Sequence, residues 1–149
     1  MSGIQVKVRT GLGAMLAAAG AVTWQATGAI SASVSPPPLF DLIYPDAPDC
    51  AAALATYAVG GDDPKQPVSA LMLQVRTRSN LTTTASGDDL DDAISQQLMG
   101  HFPLTLSTGI VISTIIRMSS SPIGRDPAGR IERTTNYRLT VHDPGSYRA

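Results

Sequence analysis

Two histidines, one cysteine and four clustered aspartates are the side chains of this chain that could bind a metal ion or transfer a proton. His101 and His142 lack the spaced Cys, His or Glu partners that a zinc site or a catalytic histidine requires. Cys50 is the single cysteine, so it cannot form an intrachain disulfide, and its apolar surroundings predict a buried structural thiol. We therefore expect no catalytic, metal or cofactor site.

The acidic cluster is the sequence DDLDD at residues 88–92. Its spacing lacks the alternating oxygen ligands and central glycine of a calcium-binding loop. Asp88 and Asp89 instead fall at the start of a predicted helix, where the helix dipole favours negative charge. A patch that faces a partner protein is the alternative to this capping role.

The glycine-rich turns TGLG (10–13) and VGGDDP (59–64) contain no lysine, so neither matches a phosphate-binding loop. No Gly-x-Ser-x-Gly nucleophile elbow is present. These observations predict that the protein is not an enzyme and leave a hydrolase or nuclease as a remote alternative.

The composition is that of one globular domain spanning residues 1–149, with 43% apolar and 15% charged residues. Its net charge is −1, which gives no overall attraction to nucleic acid or an anionic membrane. No segment reaches the roughly 18–20 apolar residues of a membrane span.

Arginines dominate the second half of the chain: eight of the eleven basic residues lie at position 76 or later, and all eight are arginine. Arg76 and Arg78 share the polar face of a predicted strand, and with Arg130 and Arg138 they could form a basic stripe. A solvated sheet face is one interpretation. A protein interface is the other, because arginine is enriched where proteins meet.

Hydrophobic periodicity predicts the elements that position these side chains. Strand residues 68–78 alternate between Leu71, Leu73 and Val75 on one face and polar residues on the other. The predicted helices span 4–19 and 88–102, and the predicted strands span 21–24, 39–44, 50–59, 68–78, 109–119 and 130–141. This order predicts an α+β fold with a mainly antiparallel sheet of four to five strands, two helices on one face, and a long hairpin loop at 119–130.

The N-terminal segment permits two interpretations. Lys7 and Arg9 precede an apolar stretch, as in a secretory signal peptide. Glycines thin that stretch, however, and Leu12, Met15 and Leu16 have the spacing of an amphipathic helix. We expect a retained helix; a secreted binding protein with a cleaved leader is the alternative.

Four stretches together resemble the tail terminator proteins of long-tailed bacteriophages, which are often labelled minor tail or minor capsid proteins. They are GLGAMLAAAGAVTW, ALATYAV with the GGDDP turn, LMLQVRTRSN, and IGRDPAGRIERTTNYRLTV. The triple proline at 36–38 and the alanine-rich strand depart from the family's pattern.

The resemblance implies a structural virion protein that assembles in the host cytoplasm as a homo-oligomeric ring, expected to be a hexamer, on the head-proximal end of the tail tube. The ring would stop tube elongation and provide the surface for head joining. Its expected partners are further copies of itself, the tail tube protein and head–tail connector or neck proteins, without a cofactor, membrane or specific nucleic-acid sequence. A neck or connector protein is the alternative role.

A ring needs an interface between subunits, and the predicted hairpin loop 119–130 could supply it. We expect this loop to be extended or mobile until a neighbour orders it, with Arg125 and Arg130 pairing with carboxylates of the adjoining subunit, such as residues 88–92. The full set of predicted interface residues is Arg76, Arg78, Asp88, Asp89, Arg125, Asp126, Arg130 and Arg133.

Overall fold

The computed structural model describes residues 3–25, 34–58, 68–99 and 103–142, and within them the fold is α+β. The described elements in chain order are α1 (Ile4–Ala18), β1 (Thr23–Gln25), β2 (Pro38–Asp41), β3 (Ala51–Ala58), β4 (Val68–Arg78), α2 (Ser86–Leu98), β5 (Leu104–Thr105), β6 (Val111–Arg125) and β7 (Ile131–His142). Both predicted helices and the main predicted strands are therefore present.

The strands form one sheet in the order β1-β2-β3-β4-β7-β6-β5. β1, β2 and β3 run parallel to one another, whereas every other neighbouring pair is antiparallel. The sheet is therefore mainly antiparallel, as predicted, but the predicted number of four to five strands was wrong and the parallel pairs were not predicted. The short strands β1, β2 and β5 give weak periodic signals, and strand direction depends on long-range pairing that periodicity does not report.

Helix α1 packs its apolar stripe into the core, where Val8, Leu12 and Leu16 are fully buried. The glycines that thin this stripe allow close packing. A Cβ atom at Gly13 would overlap the ring of Trp24, and one at Gly11 would lie 2.7 Å from the Leu106 Cβ. The helix is thus part of the domain, and a chain cleaved behind it would lose these core contacts.

Alternating residues of β4 and β7 form the centre of the core, as their pattern predicts. The buried set comprises Leu71, Leu73 and Val75 of β4 with Tyr137, Leu139 and Val141 of β7. Leu90, Ile94 and Leu98 of α2 join the same cluster as the α1 residues. Both helices therefore cover one face of the sheet, in agreement with the predicted layer arrangement.

The predicted long loop at 119–130 was wrong, because β6 continues as a strand to Arg125 and pairs with β7 over almost its whole length. The Pro122 that suggested a loop is tolerated on an edge strand, where no partner needs its missing N–H. Bulges interrupt the pairing at 112–114, 117–119 and 122–124. The hairpin forms within one chain, so a neighbouring subunit is not needed to order this segment.

The actual turn of this hairpin spans residues 126–130. The Asp126 carboxylate accepts the backbone N–H groups of Ala128 and Arg130 at 3.0 and 2.8 Å. Gly129 adopts a φ of 89°, which glycine reaches without steric cost. The sequence DPAGR, rather than SSPIG, therefore specifies the turn.

Candidate assembly surface

Arg130 lies buried behind the hairpin turn and binds three carboxylates of its own chain. Its Nη2 donates to Asp46 Oδ1 at 2.7 Å, its Nη1 to Asp49 Oδ1 at 3.1 Å, and its Nε to Asp126 Oδ2 at 2.8 Å. The Nη1 group also donates to the Asp46 carbonyl. Arg130 thus ties the hairpin turn to the loop between β2 and β3.

Arg78 fixes the same loop through its backbone. Its guanidinium donates to the carbonyls of Asp49, Pro45 and Pro48 at 2.8, 2.8 and 2.7 Å. The Arg78 Cζ atom lies 4.5 Å from the centre of the Tyr44 ring, a cation–π geometry. We call Arg78, Arg130 and loop 42–50 the arginine cluster.

Tyr44 and Glu132 extend the arginine cluster across the outer face of the sheet, which is the face away from the helices. The Tyr44 hydroxyl donates to Glu132 Oε1 at 2.6 Å, and Arg76 Nη2 donates to Glu132 Oε2 at 3.0 Å. Strand β2 ends at Asp41, whereas the sequence predicted that it would end at residue 44. The next residue, Leu42, adopts a φ of 69° and begins loop 42–50. Leu42 and Ile43 are exposed on the loop that these arginines hold.

The charges of the arginine cluster perturb one another. Burial tends to lower the pKa of Arg130, but its hydrogen bonds to Asp46, Asp126 and Asp49 outweigh burial and raise it. Burial and the nearby Arg130 charge lower the pKa of Arg78, which has carbonyl oxygens as its hydrogen-bond acceptors. Burial tends to raise the pKa of Asp126, but hydrogen bonds from Arg130 lower it overall.

A second polar network joins helix α2 to the hairpin. Arg133 donates to Asp88 Oδ1 at 2.7 Å and to Ser120 Oγ at 3.2 Å. The buried Asp91 accepts the Thr135 hydroxyl at 2.9 Å, and burial raises the pKa of Asp91. Asp88 therefore lies at the helix start, as predicted, and its carboxylate binds an arginine.

The eight predicted interface residues do not form one surface. Arg78 and Arg130 are buried in the arginine cluster, and Asp126 lies beside them with a largely covered side chain. Arg133 and Asp88 form an ion pair within the chain. Asp89 lines a different cavity of about 360 Å³ together with Cys50, and the exposed Arg125 donates to the Gly129 carbonyl. Their role between subunits stays a prediction.

A comparison with known protein families decides what kind of protein carries this fold. The family model described as "Bacteriophage tail terminator protein" matches residues 15–143. The chain belongs to the bacteriophage tail terminator family. No curated protein matches it. This tail terminator is therefore a structural protein of the virion tail, as the sequence resemblance implies.

The tail terminator sequence did not reveal one surface, the outer edge of β6. Ile116, Met118 and Ile123 are exposed there. The β-branched run at 110–116 indicated a strand, but the serines and Pro122 that follow favoured a loop. The sequence did contain one signal of this longer strand. An antiparallel hairpin needs arms of similar length, so the partner of the run RIERTTNYRLTV had to be about as long as that run.

The remaining candidate residues are the two histidines and the possible metal ligands. Within residues 3–25, 34–58, 68–99 and 103–142, no three His, Cys, Asp or Glu side chains converge as metal ligands would. His142 ends β7 and His101 lies outside the described residues. None of the described helices is long and apolar enough to span a membrane.

Proposed function

We propose that this tail terminator assembles as a ring on the head-proximal end of the tail tube, where it stops tube elongation and provides the joining surface for the head. The family match over residues 15–143 carries this proposal. A ring of identical subunits requires two different surfaces that meet head to tail. An open sheet, whose two edges consist of different strands, suits that requirement.

The arginine cluster supports the proposal through rigidity. Arg78 and Arg130 hold loop 42–50, and this loop presents the exposed Leu42 and Ile43. A loop ordered before binding loses less conformational entropy when a partner docks. We propose that this loop contributes to contacts with the tail tube or neck.

Exposed charges are the second element of the proposed contacts. Arg76, Asp89 and Arg125 are exposed, and we propose that they face a neighbouring subunit or the tube. Buried Arg78 and Arg130 would act indirectly, by fixing the backbone near these groups.

Tube length provides the direct test. Tail tubes of the corresponding phage, assembled with and without this protein, are measured by electron microscopy. The proposal expects uniform tubes with a ring at one end when the protein is present, and irregular overlong tubes when it is absent. Uniform tubes in its absence, with heads that fail to attach, would instead identify a neck or connector protein.

A further inference from the structure

One edge of the sheet lacks a strand partner over most of its length. β5 pairs with β6 only at Val111 and Ile112, whereas β7 follows the other side of β6 to Arg125. In the part of the chain that the structure describes, no strand covers the outer side of β6 from Ser113 onward. Unpaired N–H and C=O groups on such an edge can pair with another chain.

The edge of β6 has protective features, namely bulges and the exposed Arg117, but it also carries exposed apolar side chains. Proteins commonly protect edges with lysine, proline or bulges. Ile116 and Met118 are apolar and about half exposed here, and the first proline is Pro122. The stretch available for pairing is therefore 114–121, with one bulge at 117–119.

The opposite side of the sheet offers a second unpaired stretch. β2 pairs with β3 only from Ala52 to Leu54, so no described strand covers this side of β3 at residues 55–58. Tyr57 lies in this stretch and is exposed. Among the described residues, the sheet thus has two different unpaired stretches, as a head-to-tail contact requires.

A single cross-strand row connects the two edges on the outer face. Tyr57 lies opposite Met72, Met72 opposite Arg138, and Arg138 opposite Ile116. The row ends in an exposed aromatic side chain at one edge and an exposed β-branched side chain at the other. Aromatic and β-branched residues are favourable cross-strand neighbours, so the two ends are complementary.

We propose that residues 114–121 of β6 add as a strand to residues 55–58 of β3 in a second copy of this chain, so that the sheet continues from subunit to subunit. Ile116 of one copy then lies beside Tyr57 of the next. This inference rests on the proposed ring and identifies the surfaces that close it. Each copy uses both stretches once, so neither stretch remains unpaired in a closed ring.

Cysteine cross-linking tests the pairing directly. In a Cys50→Ser background, a chain with Ile116→Cys is mixed with a chain with Tyr57→Cys under oxidising conditions. Directly opposed strand residues have Cβ atoms about 4.5–5.5 Å apart, and closer in non-hydrogen-bonded pairs. A disulfide requires about 3.5–4.5 Å, which small shifts of the two strands can supply. We expect covalent dimers from the mixture and little product from either variant alone.

Two outcomes would overturn the proposal. Absence of cross-linking in a mixture that forms rings, alone or on tubes, would show that the two edges do not meet. Efficient dimerisation of the Ile116→Cys variant alone would indicate two β6 edges paired around a twofold axis, which does not build a head-to-tail ring.

A matched pair of variants tests the contribution of the edge to assembly. Ile116→Glu places a carboxylate in the proposed contact, beside Arg138 of its own chain, so the subunit should fold normally. Ile123→Glu makes the same change on the same strand, beyond Pro122. By native mass spectrometry, we expect Ile116→Glu to weaken association by roughly tenfold or more and Ile123→Glu to leave it unchanged.

The results separate this inference from the proposed function. Rings that persist with Ile116→Glu would overturn the β6–β3 contact and leave the ring intact as a proposal. A natural-sequence chain that neither forms a ring alone nor forms one on tubes would overturn both. Equal loss with both glutamate variants would also contradict the inference, because it would point to a general effect of charge.

Discussion

Replacement of Arg130 by alanine tests whether the arginine cluster stabilises the subunit. The Arg130 side chain is 5% exposed, and breaking a buried ion pair generally costs about 3–5 kcal/mol. Asp46 and Asp49 are 96% and 46% exposed, so they regain water when the arginine is lost. Asp126, 10% exposed, keeps its backbone donors. We therefore expect Arg130→Ala to cost about 2–4 kcal/mol of unfolding free energy.

Arg133→Ala is the matched control, because Arg133 and its partner Asp88 are 26% and 54% exposed. Such a pair contributes less than about 1 kcal/mol. For a chain of this size, Tm should fall by roughly 5–12 °C in Arg130→Ala and by less than about 4 °C in Arg133→Ala, measured by calorimetry. Equal decreases would refute the reasoning. A normally stable Arg130→Ala subunit that fails to assemble would show that Arg130 acts between subunits.

Three further predictions concern other parts of the fold. Leu16→Asp puts a carboxylate into the core and should lower the free energy of unfolding by about 3 kcal/mol or more. Val6→Asp, on the exposed side of α1, should change that free energy little. Equal urea midpoints for the two variants would contradict this prediction. Calcium or magnesium at millimolar concentration should leave Tm unchanged, and a saturable increase that Asp89→Asn abolishes would reveal a cation site. Because burial raises the pKa of Asp91, folding opposes its ionisation, and stability falls as pH rises from the unfolded pKa of about 3.9 to the folded value. Asp91→Asn should therefore be more stable than the natural chain at pH 7, with a Tm difference that disappears near pH 3; a constant difference would exclude this cause.

Strong local periodicity made the core predictable. The stripe of α1 and the alternation in β4 and β7 gave these elements within a few residues, because each has one buried face. The parallel arrangement of β1, β2 and β3 was not predictable in this way. Strand β2 has only four residues, and three of them are buried, so it shows no alternation of apolar and polar side chains. The strands that pair with β2 are determined by the tertiary fold.

The predicted site shows a similar division. The sequence pointed to the arginines as possible interface residues, but sequence spacing could not show that Asp46 and Asp49 would meet Arg130 within the chain. Their separation of more than eighty residues is bridged only by the folded sheet. The unpaired edge of β6 was hidden for the same reason. It exists because β5 pairs with β6 only at Val111 and Ile112, and this is a property of the whole sheet.

The position of β7 between β4 and β6 has a consequence for synthesis of the subunit. β4 is complete at Arg78, but its partner begins at Ile131, so one side of β4 remains unpaired while the intervening chain is made. At about 5–20 residues per second, this delay lasts roughly 3–11 s. Tyr137, Leu139 and Val141 close the core, and they are translated after β6. A nascent subunit therefore acquires its closed core and its paired β6 together, once β7 has been made. A chain that stops before β7 lacks the paired β6 with which we propose it joins another subunit.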